Sequence, residues 1–406
     1  MKKILVIIFT ILICITAFSK TKNIEPQNTI KFASWGSQSE TKILKELIEN
    51  FENTNDIKVE FIHIPENYFQ KIHMLFASNL APDVIFTNNH YLKMYTDAGL
   101  LENLTEQITD KEEFFTIAIN CLSDKGQIYA IPRDISNLVL YVNKDALKEA
   151  NIEYKKRIKT LQELKEIASK LTNNNRYGIN FEESSLYWLY YLAANGGGII
   201  SDDLRQIIIN TEKSKEALNS YSDLANKYNI APTKAQIGSM TTAQMFINGK
   251  IAMYLGGRWM VPKFRETITF DWDIIEFPST KENKVFVDAS GWAISKQSKQ
   301  KDNALKLILF LSSYESINKL AESGLIIPAR IKSAIKYMLE EKNKKPNNTE
   351  IFLTMLENAK PTPTNKNYGE INDILEEKIK NVLSGNSTIE EALDNKTIKK
   401  IESLLW

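Results

Sequence analysis

Residues 30–86 alternate three short apolar runs with two helical stripes, and this alternation restricts the fold more than any other feature of the chain. Residues 30–34 read as a strand that ends in Trp35-Gly36-Ser37, and Ile43, Leu44, Leu47, Ile48 and Phe51 then recur at helical spacing. Ile57, Val59 and Phe61 alternate as a strand does. Phe69, Ile72, Phe76 and Leu80 make a second helical stripe, and 82–86 is a short buried strand running into Thr87-Asn88-Asn89-His90. A βαβαβ unit of this kind implies a parallel sheet with right-handed crossovers, so the chain is α/β.

Next, 128–131 and 138–142 read as two extended runs joined by Pro132-Arg133-Asp134 with no helix between them, which suggests a passage from one domain to another. A second α/β pattern follows. Thr160 and Glu163 have the spacing of a capping box, 177–181 reads as a strand, and a helix over 184–195 stops at Gly196-Gly197-Gly198. That helix carries Tyr187, Trp188, Tyr190 and Tyr191, more rings than one buried stripe absorbs, so some are expected to face a cleft. Residues 240–264 read as a short helix, a buried strand over 251–255, and Gly256-Gly257 delivering Arg258 and Trp259 at the strand's C-terminal edge. In open α/β sheets that edge is where ligands bind. Strands over 272–277 and 285–294 follow, the second containing Asp288, Gly291 and Trp292, and the remainder is mostly helical.

Composition excludes several functions. Basic residues number 51 against 50 acidic, and 49 against 50 once the first nineteen are set aside, so no bulk charge favours nucleic acid or an anionic membrane. Those nineteen residues read as a secretory signal: Lys2-Lys3, an apolar run, then Ala17-Phe18-Ser19 as a cleavage site. Cys14 within the run is a candidate lipid-attachment site, although Ile13 precedes it where a small residue is preferred. Cleavage after Ser19 leaves Cys121 alone, which rules out an intrachain disulfide and leaves the hydrophobic core to hold the fold.

Six segments together resemble a known family: IKFASWGS, APDVIFTNNHYLKMYTDAGLLENLTEQI, GQIYAIPRDISNLVLYVNKDALKEA, FINGKIAMYLGGRW, DASGWAISKQSKQKDNALKLILFLSS and GLIIPAR. In this order the chain resembles bacterial extracellular solute-binding protein family 1, the carbohydrate-binding proteins of ABC importers, to which maltose-binding protein belongs. The resemblance implies a two-lobed periplasmic-binding-protein fold with three hinge crossings, near 131–136, 287–291 and 326–332, and a helical C-terminal region. It implies lobes of 20–133 plus 290–328 and of 134–289 plus 329–406. It further implies a monomer at the extracytoplasmic face of the membrane. The expected partners are a carbohydrate or polyol ligand and membrane permease subunits, with no cofactor and no nucleic acid.

A sugar offers hydroxyls at its edge and C–H faces on its flat sides, so its site needs bidentate polar groups and aromatic rings. The candidates are Trp35, Asn88, Asn89, Arg133, Asp134, Trp188, Asn195, Gly257, Arg258, Trp259, Asp288, Trp292, Arg330 and Tyr368. Two other readings compete. Arg258 and Arg330 would suit an anionic solute such as glycerol phosphate. Asp134 with Asp288 would suit a glycoside hydrolase, although no G-x-S-x-G, H-E-x-x-H or Walker A loop is present. His63, His73 and His90 are the only histidines, and a zinc triad built from them has weak support from spacing.

Overall fold

A computed structural model describes residues 28–405; the signal segment over 1–19 and Cys14 lie outside the described residues. The expected βαβαβ start is observed. Strands β1 (Thr29–Ser34), β2 (Lys58–His63) and β3 (Val84–Asn88) are parallel, with Phe32 opposite both Phe61 and Val84. The helix Gln38–Thr54 opens on a capping box in which the Ser37 hydroxyl accepts from the Glu40 amide and the Glu40 carboxylate accepts from the Ser37 amide. It buries Leu44, Leu47, Ile48 and Phe51 against the sheet, four of the five residues of the stripe seen in the sequence.

After a short hairpin of β4 (Ser123–Asp124) and β5 (Gln127–Ile128), the chain enters β6 (Ile131–Ser136) and then β7 (Leu138–Asn143). These two strands lie in different sheets, so Asn137 is where the chain passes from one to the other. The second sheet is completed by β8 (Tyr177–Ile179), β9 (Ile251–Gly257) and β10 (Trp272–Ile275), in the order β10-β7-β9-β8. The chain then returns through β11 (Val285–Ile294) and β12 (Ile327–Pro328). The first sheet has the order β12-β6-β11-β3-β1-β2, and β13 (Ala359–Pro361) pairs with the opening residues of β11. The result is the two-lobed α/β architecture expected from the sequence, with two passages between sheets, β6 to β7 and β10 to β11, a third from β12 into the helix Ile331–Glu341 that meets Arg258, and a C-terminal region rich in helix. No helix among the described residues is long and apolar enough to cross a membrane.

One sequence reading needs correction. Pro132-Arg133-Asp134 is not a connection between strands; it lies inside β6. Ser290 pairs with Asp134 and Gly291 with Pro132, so Arg133 is an extra residue on its strand, a β-bulge. A proline is tolerated in a sheet at such an irregularity. Gly291 makes the close approach of β11 to β6 feasible, because a Cβ there would lie 2.1 Å from the Ile131 carbonyl oxygen.

The far end of β9 is tied to the returning chain by a buried ion cluster. Arg258, 2% exposed, donates to the Tyr337 hydroxyl at 2.7 Å, the Glu341 carboxylate at 3.0 Å and the Gly324 carbonyl at 3.2 Å. Its guanidinium lies over the rings of Tyr337 and Phe352, and Arg265 reaches the same Glu341 carboxylate. Burial alone would raise the Glu341 pKa. Arg265 and Arg258 outweigh it and hold the carboxyl below its ordinary value of 4.5.

Two stability predictions follow from this packing. Gly291→Ala pushes a methyl group into a backbone carbonyl and should cost about 1–3 kcal/mol or more in urea unfolding at neutral pH. Glu341→Ala strands a buried guanidinium and should cost about 3–5 kcal/mol. Because the folded pKa of Glu341 is depressed, its contribution is present above pH 4.5 and fades as the pH falls through the lower folded value. The gap between Glu341→Ala and wild type should therefore narrow on acidification, and an unchanged gap at pH 3 would contradict this account.

Candidate ligand-binding cleft

Between the two sheets lies a cavity of about 700 Å³. The first sheet supplies Trp35 from the end of β1, Asn88 from the end of β3, Arg133 and Asp134 from the bulge in β6, and Asp288 from β11. The second lobe supplies Arg258 and Trp259 from the end of β9, and Leu186 from the first turn of the helix Ser185–Ala194. Seven of the sequence candidates are thus brought together, six at a strand end or at the bulge and Asp288 within β11.

The polar chemistry of the wall is mostly self-matched. Arg133 donates twice to Asp134, at 2.6 and 3.1 Å, and approaches Glu40 at 3.6 Å, while Ser290 donates to the other Asp134 oxygen. The Arg133 guanidinium sits 5.0 Å from the centre of the Phe86 ring and 5.6 Å from that of Trp292. Burial disfavours its charge, but Asp134 and then Glu40 favour it, and its pKa stays above the ordinary arginine value. Asp288 accepts from Asn89, His90 and Thr362, each at 2.8 Å. Burial would raise its pKa, and His90 beside it instead lowers it. Two buried polar atoms of cavity-lining residues have no hydrogen-bond partner: Asn88 Oδ1 and Arg258 Nη1.

Two indoles supply flat surface. Trp35 is 46% exposed and lies 5.9 Å from the Phe86 ring. Trp259 is half-buried, and its ring lies against Gly257: a Cβ at that glycine would meet three ring atoms at 2.0–2.4 Å. Gly257 is therefore not a lining residue but the reason Trp259 can adopt its orientation.

The other candidates lie elsewhere. Trp188 is fully buried, as are Tyr190 and Tyr191, because their helix packs against both β11 and the helix Glu212–Asn226. Trp188, Tyr190 and Tyr191 therefore belong to the core and not to a cleft, and Tyr187 alone of the four rings is half-buried. Asn195 ends that helix and donates to the Lys213 carbonyl at 2.8 Å. Trp292 is core, edge-on to Phe32 at 5.2 Å. Arg330 lies outside the cavity, over Phe114, and pairs with Asp110 at 2.5 Å and with Glu113. Asn89 and Tyr368 stand behind Asp288, Asn89 bonded to it and Tyr368 against His90.

Sequence reasoning missed Glu40, Ser136, Leu186 and Ser290, all of which line the cavity. Only Glu40 had a local signal, the capping-box spacing from Ser37. The three histidines are spread over separate sites: His63 against the Gly36 carbonyl, His73 against Tyr91 and Tyr95, and His90 on Asp288. No group of three metal-ligating side chains occurs among the described residues.

Comparison with known proteins fits this geometry. Residues 46–349, well over half of the chain, match the model of a bacterial extracellular solute-binding protein. A maltodextrin-binding protein of Bacillus subtilis (strain 168) is 26% identical over 357 residues, which cover 80% of each chain. An ABC substrate-binding protein of Listeria monocytogenes, solved in complex with cycloalternan, superposes with a TM-score of 0.83 at 27% identity, over 93% of this chain and 98% of that one. The maltose-bound T. maritima MalE3 has the same fold, with a TM-score of 0.76 at 24% identity over 93% and 98% of the two chains. By its family match and its two-lobed cleft, the chain belongs to the bacterial extracellular solute-binding proteins.

Proposed function

We propose that this chain captures a neutral sugar or oligosaccharide between its lobes and, as a monomer at the extracytoplasmic face of the membrane, hands it to the permease of an ABC importer. One observation carries the reading. Trp35 and Trp259, one tryptophan from each lobe, line one cavity with Asn88, whose Oδ1 is buried without a hydrogen-bond partner, while the guanidiniums in its wall are already matched by carboxylates. Rings receive the C–H faces of a sugar, and unpaired dipoles receive its hydroxyls. The sugars named for the B. subtilis and L. monocytogenes relatives support the same class.

An anionic solute is disfavoured. Arg258 is held by Glu341 and Tyr337, and Arg330 is held by Asp110 and Glu113 outside the cavity, so neither arginine is left to meet a phosphate. Hydrolysis is disfavoured too. A glycosidase acid needs a raised pKa, and Asp288 lies below its ordinary value.

The pairing of strands favours a small shift of the lobe boundaries expected from the sequence, to 28–136 with 288–330 for the first lobe and 137–287 with 331–405 for the second. With contacts divided in this way, a solute stabilises the closed form by its differential affinity.

Maltodextrins and galacto-oligosaccharides are the first solutes to screen. A bound sugar should raise the melting temperature, reduce the radius of gyration in solution scattering, and be recovered intact by chromatography. Trp35→Ala and Trp259→Ala should each weaken it about tenfold or more. Binding without compaction, or release of a cleaved sugar, would count against the proposal.

A further inference from the structure

Asp288 is the one carboxylate of the cavity wall whose partner is a histidine, and its hydrogen bonds are unevenly distributed. Asn89 Nδ2, His90 Nε2 and Thr362 Oγ1 all meet the same oxygen, Oδ1, each at 2.8 Å. Among the described residues no hydrogen bond is made to Oδ2, and the side chain keeps 23% of its surface exposed while it lines the cavity. Three donors arriving from behind thus fix the carboxylate plane and leave one anionic oxygen for the cavity. A carboxylate oxygen is the strongest acceptor that a sugar hydroxyl can find.

We propose that His90 is a positioning residue for the solute: its Nε2 donates to Oδ1 of Asp288 in either charge state, leaves Oδ2 to accept a solute hydroxyl, and, because that hydroxyl and the His90 cation draw on the same carboxylate charge, makes the grip of the cleft strengthen as the pH rises. The inference rests on the sugar reading above for its choice of solute only.

The surroundings leave His90 as the group that titrates. On its own helix, Asn89–Asp97, Lys93 is turned away to Asp97 and Asp124. From the C-terminal helix Tyr368–Leu383, the Tyr368 ring meets His90 at 5.1 Å, and Asp373 and Glu376 act on the neighbouring Tyr91. Asp288 also feels Cys121, Tyr190 and Tyr368, and burial pushes all three of these pKa values upward, which keeps them neutral. For His90, burial opposes the charge, but Asp288 overcomes that cost and lifts its pKa above the ordinary 6.5. The ion pair is therefore complete below pH 6.5 and is lost as the pH rises through the higher folded value.

The test uses the full chain with carbon-13-labelled histidine. With only three histidines in the sequence, His90→Gln assigns the His90 resonance. Without solute, His90 should titrate above 6.5 in wild type and drop in Asp288→Asn. Calorimetry with the sugar selected by the screen should then show wild-type Kd falling about threefold or more from pH 5.5 to 9, in step with the His90 titration. His90→Gln should bind with an affinity that is flat across the range and close to that of the alkaline wild type.

A wild-type affinity that stays flat while His90 loses its proton, or a His90→Gln protein that keeps the wild-type slope, overturns the proposal. So does a His90 titrating at or below 6.5, whether or not any sugar binds. A raised His90 in a chain that binds no sugar overturns the sugar reading alone.

Discussion

The cleft depends on how closely β11 approaches β6. Gly291 lies against the Ile131 carbonyl where no side chain fits, and beside that contact Arg133 is left over in the register. In a regular strand, successive side chains point to opposite faces, so Arg133 and Asp134 could not both reach one cavity. The bulge removes that restriction, and both line it. Once there, Arg133 is held by Asp134 and Glu40 and sits close to the rings of Phe86 and Trp292. A buried guanidinium without such partners would cost several kcal/mol.

That arrangement determines what the cavity can accept. Its ionic groups are matched in place, Arg133 to Asp134, Arg258 to Glu341 and Asp288 to His90, so an entering ion would have to compete with fixed partners for its compensation. A neutral polar molecule meets no such competition. Asn88 Oδ1 is buried without a partner, a cost already met in folding, and a hydrogen bond made to it would recover part of that cost. Flat indole surface from each lobe does the rest.

How far the sequence reveals this depends on whether the signal is local. The alternation over 30–86 is local, and it gave the parallel start of the first sheet. Strand ends are local as well, which is why Trp35, Asn88, Arg258 and Trp259 could be picked out. Burial is not. Trp188 and Trp292 have the composition of sugar platforms, yet each is enclosed by elements far away in the chain. Arg330 was displaced for the same reason, because Asp110 and Glu113 lie some 220 residues before it and no spacing rule joins them. The bulge was read as a linker because a proline and two charges within β6 look like a break, and only the pairing with Gly291 shows otherwise.

β11 joins the cavity wall to the passages between the sheets. Its first three residues pair with β13, and from Asp288 onward it lies between β6 and β3, so a single strand carries the chain back into the first sheet and forms part of the cavity wall. Behind Asp288, Thr362 follows directly from β13, and the helix beginning at Tyr368 packs on both Asn89–Asp97 and Glu212–Asn226, one in each lobe. On the proposed reading, a solute held by Asp288 would act on a group joined to the passages between lobes, and its grip and the lobe angle would belong to one equilibrium.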